Sequence, residues 1–508
     1  MSLGWAQLML KLTDAQVVAA AAQERLVNVV SAPGSGKTTV AAERYGFQRY
    51  QPGDLRGVLG ISFNRAAAAE LRARVAARWG SGCVSPPHRI MTFDHLHVAL
   101  LEALIAAGQV EMPGAHQTLD VRDDYRGFKG FRYLRPPGNY LRVAGIDSNR
   151  LVVSKGRKVE TPTTGIGNLA HHRAVLATGT VSHEDVRHIL LEALKLDEPH
   201  EFASQWIASN FRAVIVDEVY DASLLDIYVA YLAAESGLSV TVIGDPWQAL
   251  YKWRGAQPEI VTQLIEGTTD RFVAYEQPES FRFVGDQMPL LASDLRAGMP
   301  VVVPKVSSFE IDVALARNWN PLWFAGDNIL PLAFRTVENA TDAALNLLLD
   351  QVTRMLLGVS SHGREGAIAK LGLDRELFNA KQDSVLQPIV SELLNRTPRD
   401  QMLEALRDAI RTLGVRRPGR LPNASREAEC VAQLTRLGDR LAQPRVIPGL
   451  TVFQAKGREW DRVGVALTAT QEALLADGLR ELDDEHCVIY VALTRARALT
   501  GLLGGTVD

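Results

Sequence analysis

The apolar residues of this chain fall into two kinds of pattern. Short unbroken runs, such as Leu26–Val30 in LVNVV and Val214–Val216 in VIVDEVYD, read as buried strands of parallel sheets. PLWFAG and ILPLAF read as further strands. Longer stretches, LLLDQVTRMLLG and QMLEALRDAIRTLG, repeat apolar residues at helical spacing, and the chain reads as helical from about Thr341 to Asp439. RRPGRLPN, from Arg416 to Asn423, breaks that block with Pro, Gly and a cluster of cations.

Composition narrows the class. At 508 residues the chain is too long for one ordinary core, so several domains are expected. Hydrophobic residues make up 47% and charged residues 22%, a globular balance. No apolar run reaches the ~18 residues of a membrane span. The opening MSLGWAQLMLKLTDAQ has neither the charged start nor the cleavage site of a secretory signal. Cys83, Cys430 and Cys487 are far apart and odd in number, without disulfide or zinc spacing, which suits a reducing cytoplasm. A net charge of −3 argues against a uniform cationic coat but not against a local basic groove.

Two stretches carry chemistry. In LVNVVSAPGSGKTTVAAERY an apolar strand meets a Gly-rich turn and then an Ala-rich helix, the context a Walker A phosphate loop requires. Pro33, Gly34, Ser35 and Gly36 form the turn, where backbone N–H groups converge on phosphate oxygens at a helix N-terminus. Lys37 neutralises the β- and γ-phosphates, Thr38 offers a hydroxyl to Mg²⁺, and Thr39 follows it. In VIVDEVYD two acids, Asp217 and Glu218, end an apolar run. An unpaired buried charge is costly, so they need something opposite them. A phosphate loop supplies it: Asp217 holds Mg²⁺ through water, and Glu218 orients and deprotonates the attacking water.

A third stretch, YKWRGA, packs Tyr251, Lys252, Trp253 and Arg254 together after a Gly-Asp-Pro turn. Aromatic faces stack on bases whatever the sequence, and cations follow the backbone. Alternation would also place Tyr251 and Trp253 on one face of a core strand. His95 and His97, with no Cys or carboxylate at metal spacing, read as structural.

Further segments fall in a fixed order around these: KLTDAQ with Gln16, GISFNRAAAAELRARV, IMTFDHLH, VTVIGDPWQALYKWRGA, ESFRF, TVFQAKGREWD and IYVALTRAR. The order and spelling, from Gln16 to Arg497, resemble superfamily 1 helicases of the UvrD/Rep/PcrA type, in a compact form. The resemblance implies an α/β fold of two RecA-like P-loop NTPase lobes, with mainly helical inserted subdomains and ATP and Mg²⁺ between the lobes. It implies lobe 1A at 1–95 and 206–275, a 1B-like insertion at 96–205, lobe 2A at 276–340 and 446–508, and a reduced 2B-like helical insertion at 341–445.

The resemblance also assigns roles. Gln16 would read adenine and Phe281 would stack on it; Gln248 would sense the γ-phosphate. Arg282 and Arg495 would reach the triphosphate from lobe 2A, with Glu459 near the ribose or triphosphate. Phe63, Asn64, Thr92, Phe93, Tyr251, Trp253, Arg254 and Phe453 would contact single-stranded DNA. The sequence departs from the family at three places. Phe453 stands where a His is usual, Tyr220 where a Gln is usual, and Thr39 where some relatives carry an Arg over the adenine.

The 1B-like segment interleaves Arg126, Lys129, Arg132 and Arg135 with Tyr125, Phe128, Phe131 and Tyr133, followed by SKGRK. That suits either a nucleic-acid surface or an exposed amphipathic ribbon. TPTTGIGNLAHHR reads first as a loop. The leading expectation is a cytoplasmic, ATP-driven DNA translocase acting on single strands and single–double strand junctions, 3′ to 5′ by resemblance, with no membrane role. The rival is a DNA-stimulated ATPase or DNA-end sensor serving a nuclease or a repair or defence partner. A metabolic P-loop kinase would leave YKWRGA and VALTRAR without work.

Overall fold

The computed structural model describes residues 12–122, 141–147, 150–155, 176–395 and 398–504. The interleaved basic and aromatic residues between 123 and 140, and TPTTGIGNLAHHR, lie outside the described residues. The chain divides into two compact units, Met1–Phe281 and Arg282–Asp508. Among the described residues no helix is long and apolar enough to cross a membrane.

The first unit is built on a six-stranded sheet. Its strands are β1 (Leu26–Ser31), β2 (Gly57–Ser62), β3 (Arg89–Thr92), β8 (Phe211–Asp217), β9 (Ser239–Gly244) and β10 (Val273–Gln277). They lie in the order β10-β1-β9-β8-β2-β3, and every pairing is parallel. All seven residues of β8 are buried. That is why the run reads as continuously apolar: helices cover both faces of such a sheet. Four short strands stand apart. β4 (Asp120–Val121) pairs with β7 (Thr180–Val181), and β5 (Leu141–Asp147) with β6 (Arg150–Lys155).

The parallel arrangement does one thing for function. It brings the C-terminal ends of all six strands to one edge, where open α/β sheets bind ligands. Read across that edge, β10 leads to ESF, β1 to the phosphate loop and β9 to GDPWQ. Then β8 leads to Asp217–Glu218, β2 to Phe63–Asn64 and β3 to Thr92–Phe93.

The boundary between units falls later than the expected break after residue 275. β10 pairs with β1, and the N–H of Phe281 donates to the Gly34 carbonyl at 2.9 Å, so this stretch belongs to the first unit.

The second unit holds another six-stranded parallel sheet, in the order β11-β16-β15-β12-β14-β13. Its strands are β11 (Lys305–Val306), β12 (Val313–Ala316), β13 (Ile329–Pro331), β14 (Ile447–Thr451), β15 (Trp460–Val465) and β16 (Ala496–Leu503). PLWFAG is not a strand, contrary to its apolar look. Pro321 and Leu322 close a short helix, Trp319–Leu322, and Trp323 then turns inward. There the Trp323 ring stacks on Phe334 at 4.6 Å and its Nε1–H donates to the Ala333 carbonyl. Of ILPLAF only Ile329–Pro331 is extended in the sheet.

The helical block forms as read, with helices Ala340–Leu357, Arg364–Leu371, Arg375–Leu394, Arg399–Arg411 and Ala424–Leu441. Leu345, Leu348, Phe378, Leu406 and Leu434 pack in one core. Buried charges within it are paired rather than bare. Asp350 accepts from Arg364 and Gln382, and Arg407 forks onto Glu427 at 2.7 Å. Breaking one side of such a pair is costly, because the other charge is left buried. The basic cluster of RRPGRLPN is absorbed likewise, with Arg417 and Arg420 on Glu404.

Candidate nucleotide and nucleic-acid site

The phosphate loop takes the shape its glycines permit. Gly34 and Gly36 have φ of 75° and 83°, the left-handed region that side chains with a Cβ avoid. Gly36 caps the helix Lys37–Arg49. A Cβ on it would stand 2.9 Å from Gln16 Nε2, so the loop and Gln16 are fitted to each other. The Gln16 amide donates to the Ser35 carbonyl at 2.9 Å and accepts from the Thr13 N–H at 3.0 Å. Both ends of the expected adenine reader are thus engaged within the chain. From the far side of the loop, Ser280 Oγ donates to the Pro33 carbonyl at 2.6 Å, and Phe281 follows with its ring 53% exposed.

Opposite the loop, Thr38 Oγ1 donates to Asp217 Oδ2 at 3.2 Å. Asp217 is buried, and its Oδ1 has no hydrogen-bond partner. Burial first, and the neighbouring Glu218 charge second, push its carboxyl up, while Lys37 pulls it down. A buried carboxylate oxygen without a partner, beside a hydroxyl, fits Mg²⁺, which takes oxygen ligands and leans on substrate phosphates. Among the described residues no group of three or more His, Cys, Asp or Glu could hold a metal unaided.

Glu218 is half-buried and has φ 58° and ψ 48°, the left-handed conformation, in a residue that is not glycine. Next to it, the buried Tyr220 ring lies over Gly244 at the end of β9. A Cβ on Gly244 would meet Tyr220 Cδ2 at 2.7 Å, so the residue standing in for the usual Gln fills the gap between two motif strands. Gln248 is buried and donates to Asp245 Oδ2 at 2.7 Å.

The expected strand contacts separate into two groups. Phe63 and Tyr251 stack at 5.0 Å with planes 16° apart, and Arg254 stands 4.8 Å from the Trp253 ring centre. Trp253 is 58% exposed. Thr92 and Phe93 face inward, while Asn64 is exposed. The Phe93 ring is buried, 6.0 Å from His97, and Thr92 is buried with its hydroxyl 2.8 Å from His95 Nδ1. Asn64 caps the helix Arg65–Trp79 by accepting from the Ala67 N–H. The spelling TFDH marked this stretch, but β3 lies at the sheet edge, where its following helix must bury an apolar side.

In the second unit, Arg282 donates to Glu459 Oε2 at 3.0 Å and to the Thr494 carbonyl at 2.8 Å. Arg497 donates to the other oxygen of Glu459 at 2.6 Å. Glu459 is thus placed as the counter-ion shared by two guanidiniums, which help hold its pKa below the usual carboxylate range against the opposing effect of burial. Arg495 is buried and donates to the Val491 carbonyl. Phe453 is half-buried in the short helix Val452–Ala455 that follows β14.

Sequence reading missed three participants. Arg497 had a signal, its place in TRAR. Ser280 lay in ESFRF but had no chemical reason to be singled out. Arg74 donates to Thr39 Oγ1 at 2.9 Å from the neighbouring helix, and nothing along the chain announces that pairing.

A strand, a glycine loop bent through left-handed backbone, a helix and an acid two strands away define a P-loop α/β fold. Comparison with known proteins carries this further. Residues 12–135 and 166–268 match the UvrD/REP helicase N-terminal domain. DNA helicase II of Salmonella typhimurium is 28% identical over 273 residues, 50% of this chain and 36% of that protein. DNA helicase II of Escherichia coli gives the same figures. Gabija protein GajB of Bacillus cereus is 32% identical over 110 residues, 21% of this chain and 22% of that protein. These likenesses support a UvrD/Rep-type superfamily 1 helicase. Its match spans about a third, 36%, of the length of those DNA helicase II proteins.

Proposed function

We propose that the chain is an ATP-dependent translocase on single-stranded DNA that unwinds duplex 3′ to 5′. The observation that carries the reading is the row of motifs along one sheet edge. Loop, acids and Gln248 follow β1, β8 and β9, and the Phe63–Tyr251 stack joins the loops after β2 and β9. Nucleotide and strand would then bear on neighbouring loops of one rigid sheet, the arrangement a motor needs to convert one into the other.

Each residue has work in this reading. Backbone N–H groups from Gly34 to Gly36, with Lys37, hold the phosphates, and Thr38 and Asp217 hold Mg²⁺. Mg²⁺ held there would supply positive charge to offset that of the phosphates. Glu218 takes the proton of the attacking water, and Gln248 senses the γ-phosphate. Gln16, already bonded to Ser35, sets the loop's shape. Thr39, held by Arg74, orders the turn beyond it. Phe281 stacks on the base. Arg282 and Arg495 bring fixed positive charge to the triphosphate, since a guanidinium keeps its proton. Tyr251, Trp253, Arg254, Phe63 and Phe453 serve the strand.

A second reading has one observation behind it. A stretch of 110 residues is 32% identical to Gabija protein GajB. On that reading the chain is a DNA-stimulated ATPase that works with a partner protein such as a nuclease. One experiment separates them: ATPase rate with and without single-stranded DNA, beside strand displacement on 3′- and 5′-tailed duplexes. Stimulation with 3′-tail unwinding supports the motor. Stimulation without unwinding supports the second reading. Lys37→Ala should abolish hydrolysis, and an unchanged rate in that variant refutes the nucleotide site.

A further inference from the structure

Arg282 opens a segment with no regular structure of its own. Residues 282–286 are neither helix nor strand, and the helix Gln287–Arg296 follows them. The segment is strapped along the beginning of β16, contact by contact. The Arg282 guanidinium donates to the Thr494 carbonyl at 2.8 Å, and the Val284 N–H donates to the Arg497 carbonyl at 2.8 Å. The Gln287 amide donates to the Thr500 carbonyl at 3.1 Å and accepts from the Thr500 N–H at 3.3 Å.

The Arg497 side chain reaches the same segment through Glu459. Its Nη2 and Nε donate to Glu459 Oε1 at 2.6 Å and 3.1 Å, which leaves Oε2 to accept from Arg282 Nε at 3.0 Å. Each arginine thus has one oxygen of the carboxylate. The other acid near Arg497 is Asp461, whose Oδ1 stands 3.7 Å away, beyond hydrogen-bond reach. Burial pushes the Glu459 carboxyl up, and the hydrogen bond from Arg497, ahead of that from Arg282, brings it down.

Exposure separates the two arginines. The Arg282 side chain is 10% exposed and that of Arg497 47%. An ion pair as open as that of Arg497 adds little to stability. What it does is fix a geometry. Arg282 sits on an irregular segment, and a guanidinium on such a segment turns freely unless its partners hold it. Positive charge serves a transition state best when it is aligned before the reaction begins, and small displacements are costly.

We propose that Arg497 is a positioning residue for Arg282. Its side chain fixes Glu459 by one carboxylate oxygen, so that the other oxygen orients the Arg282 guanidinium. The proposal rests on the reading above in which Arg282 serves the triphosphate.

The test is steady-state ATP hydrolysis by the whole chain with an oligothymidylate present. Arg497→Ala should lower kcat by about five-fold and change KM by less than about two-fold. Arg497→Lys, which returns a donor to Glu459, should recover most of the lost kcat. In a Glu459→Gln background Arg497 has no carboxylate to hold, so Arg497→Ala should cause no further loss. Thermal melting of Arg497→Ala should match wild type, since the side chain is exposed. Arg282→Ala is the reference. If it lowers kcat while Arg497→Ala does not, the proposal is overturned and the role of Arg282 stands. An equal loss from Arg497→Ala with Glu459 and with Gln at that position also overturns it, because Arg497 then acts by another route. If Arg282→Ala hydrolyses ATP as wild type does, the reading of Arg282 fails and the proposal falls with it.

Discussion

Phe63 and Tyr251 lie face to face with ring centres 5.0 Å apart, although one follows β2 and the other β9, two strands away. Each ring spends a face on the other. Trp253 is the exposed aromatic of this group, with Arg254 on its ring. Trp253→Ala should therefore lower single-strand affinity by about 1–3 kcal/mol. Phe63→Leu should act mainly on the loop, through loss of a stack worth about 1 kcal/mol. Fluorescence anisotropy with a labelled oligonucleotide reads the first, and chemical denaturation the second. Full affinity in Trp253→Ala would take YKWRGA off the strand path.

Glu218 has the only left-handed backbone among the described residues of the VIVDEVYD segment. An L-residue there costs about 1–2 kcal/mol relative to ordinary helix geometry, and glycine carries no such cost. Glu218→Gly should raise stability by about 1 kcal/mol and abolish ATP hydrolysis, the exchange of stability for function expected at a working site. Glu218→Gln should keep the backbone cost and also lose hydrolysis. Urea titration beside an ATPase assay checks both. A glycine variant less stable than wild type would mean that the Glu218 side chain holds the turn.

The strands with chemistry at their ends were legible because a buried parallel strand must be apolar throughout, so an acid or a glycine run at its end stands out. That is how Asp217, Glu218 and the loop from Pro33 to Lys37 could be read directly. PLWFAG shows the limit. Its apolar content reports burial, which a short helix and an inward-turned Trp323 satisfy as well as a strand does. Phe93 shows another. A ring beside a motif threonine looks the same in sequence whether it faces solvent or, as here, the core. Side-chain pairings across helices, such as Arg74 on Thr39, depend on distances that only the folded chain sets.

Glu459 sits between Arg282 and Arg497 and bonds to both. A side chain that restrains an arginine can matter to rate without touching the reacting atoms. Glu459→Gln should lower kcat by about ten-fold, or 1.4 kcal/mol, with smaller change in KM, because Arg282 loses its charged restraint but keeps the Thr494 carbonyl. Arg282→Ala should cost more, about 10³-fold, as removal of an arginine finger does. If Glu459→Gln instead raises KM and spares kcat, Glu459 contacts the nucleotide itself.

His97 and Asp226 make a buried pair with opposed titrations. His97 Nε2 lies 3.3 Å from Asp226 Oδ1, with neither imidazole nitrogen in a hydrogen bond. Burial brings the His97 pKa down to about 3, with Arg187 and His183 adding to the effect and Asp94 opposing it. Burial also raises that of Asp226 to about 6, opposed by the Ser223 N–H and hydroxyl and by Arg187. For His97 the unfolded chain takes a proton that the native chain refuses, so its contribution is full above pH ~6.5 and is lost as pH falls toward 3. For Asp226 the native chain keeps a proton that the unfolded chain has released, so its contribution is full below pH ~4 and is lost as pH rises through 6. Between those limits the two slopes cancel. His97→Gln should unmask the second. Between pH 6 and 4.5 the stability of the variant relative to wild type should rise by about 1.4 kcal/mol for each unit of acidification. Urea unfolding across that range measures it. A difference that stays constant with pH would mean that His97 takes up its proton in the native chain as it does in the unfolded one.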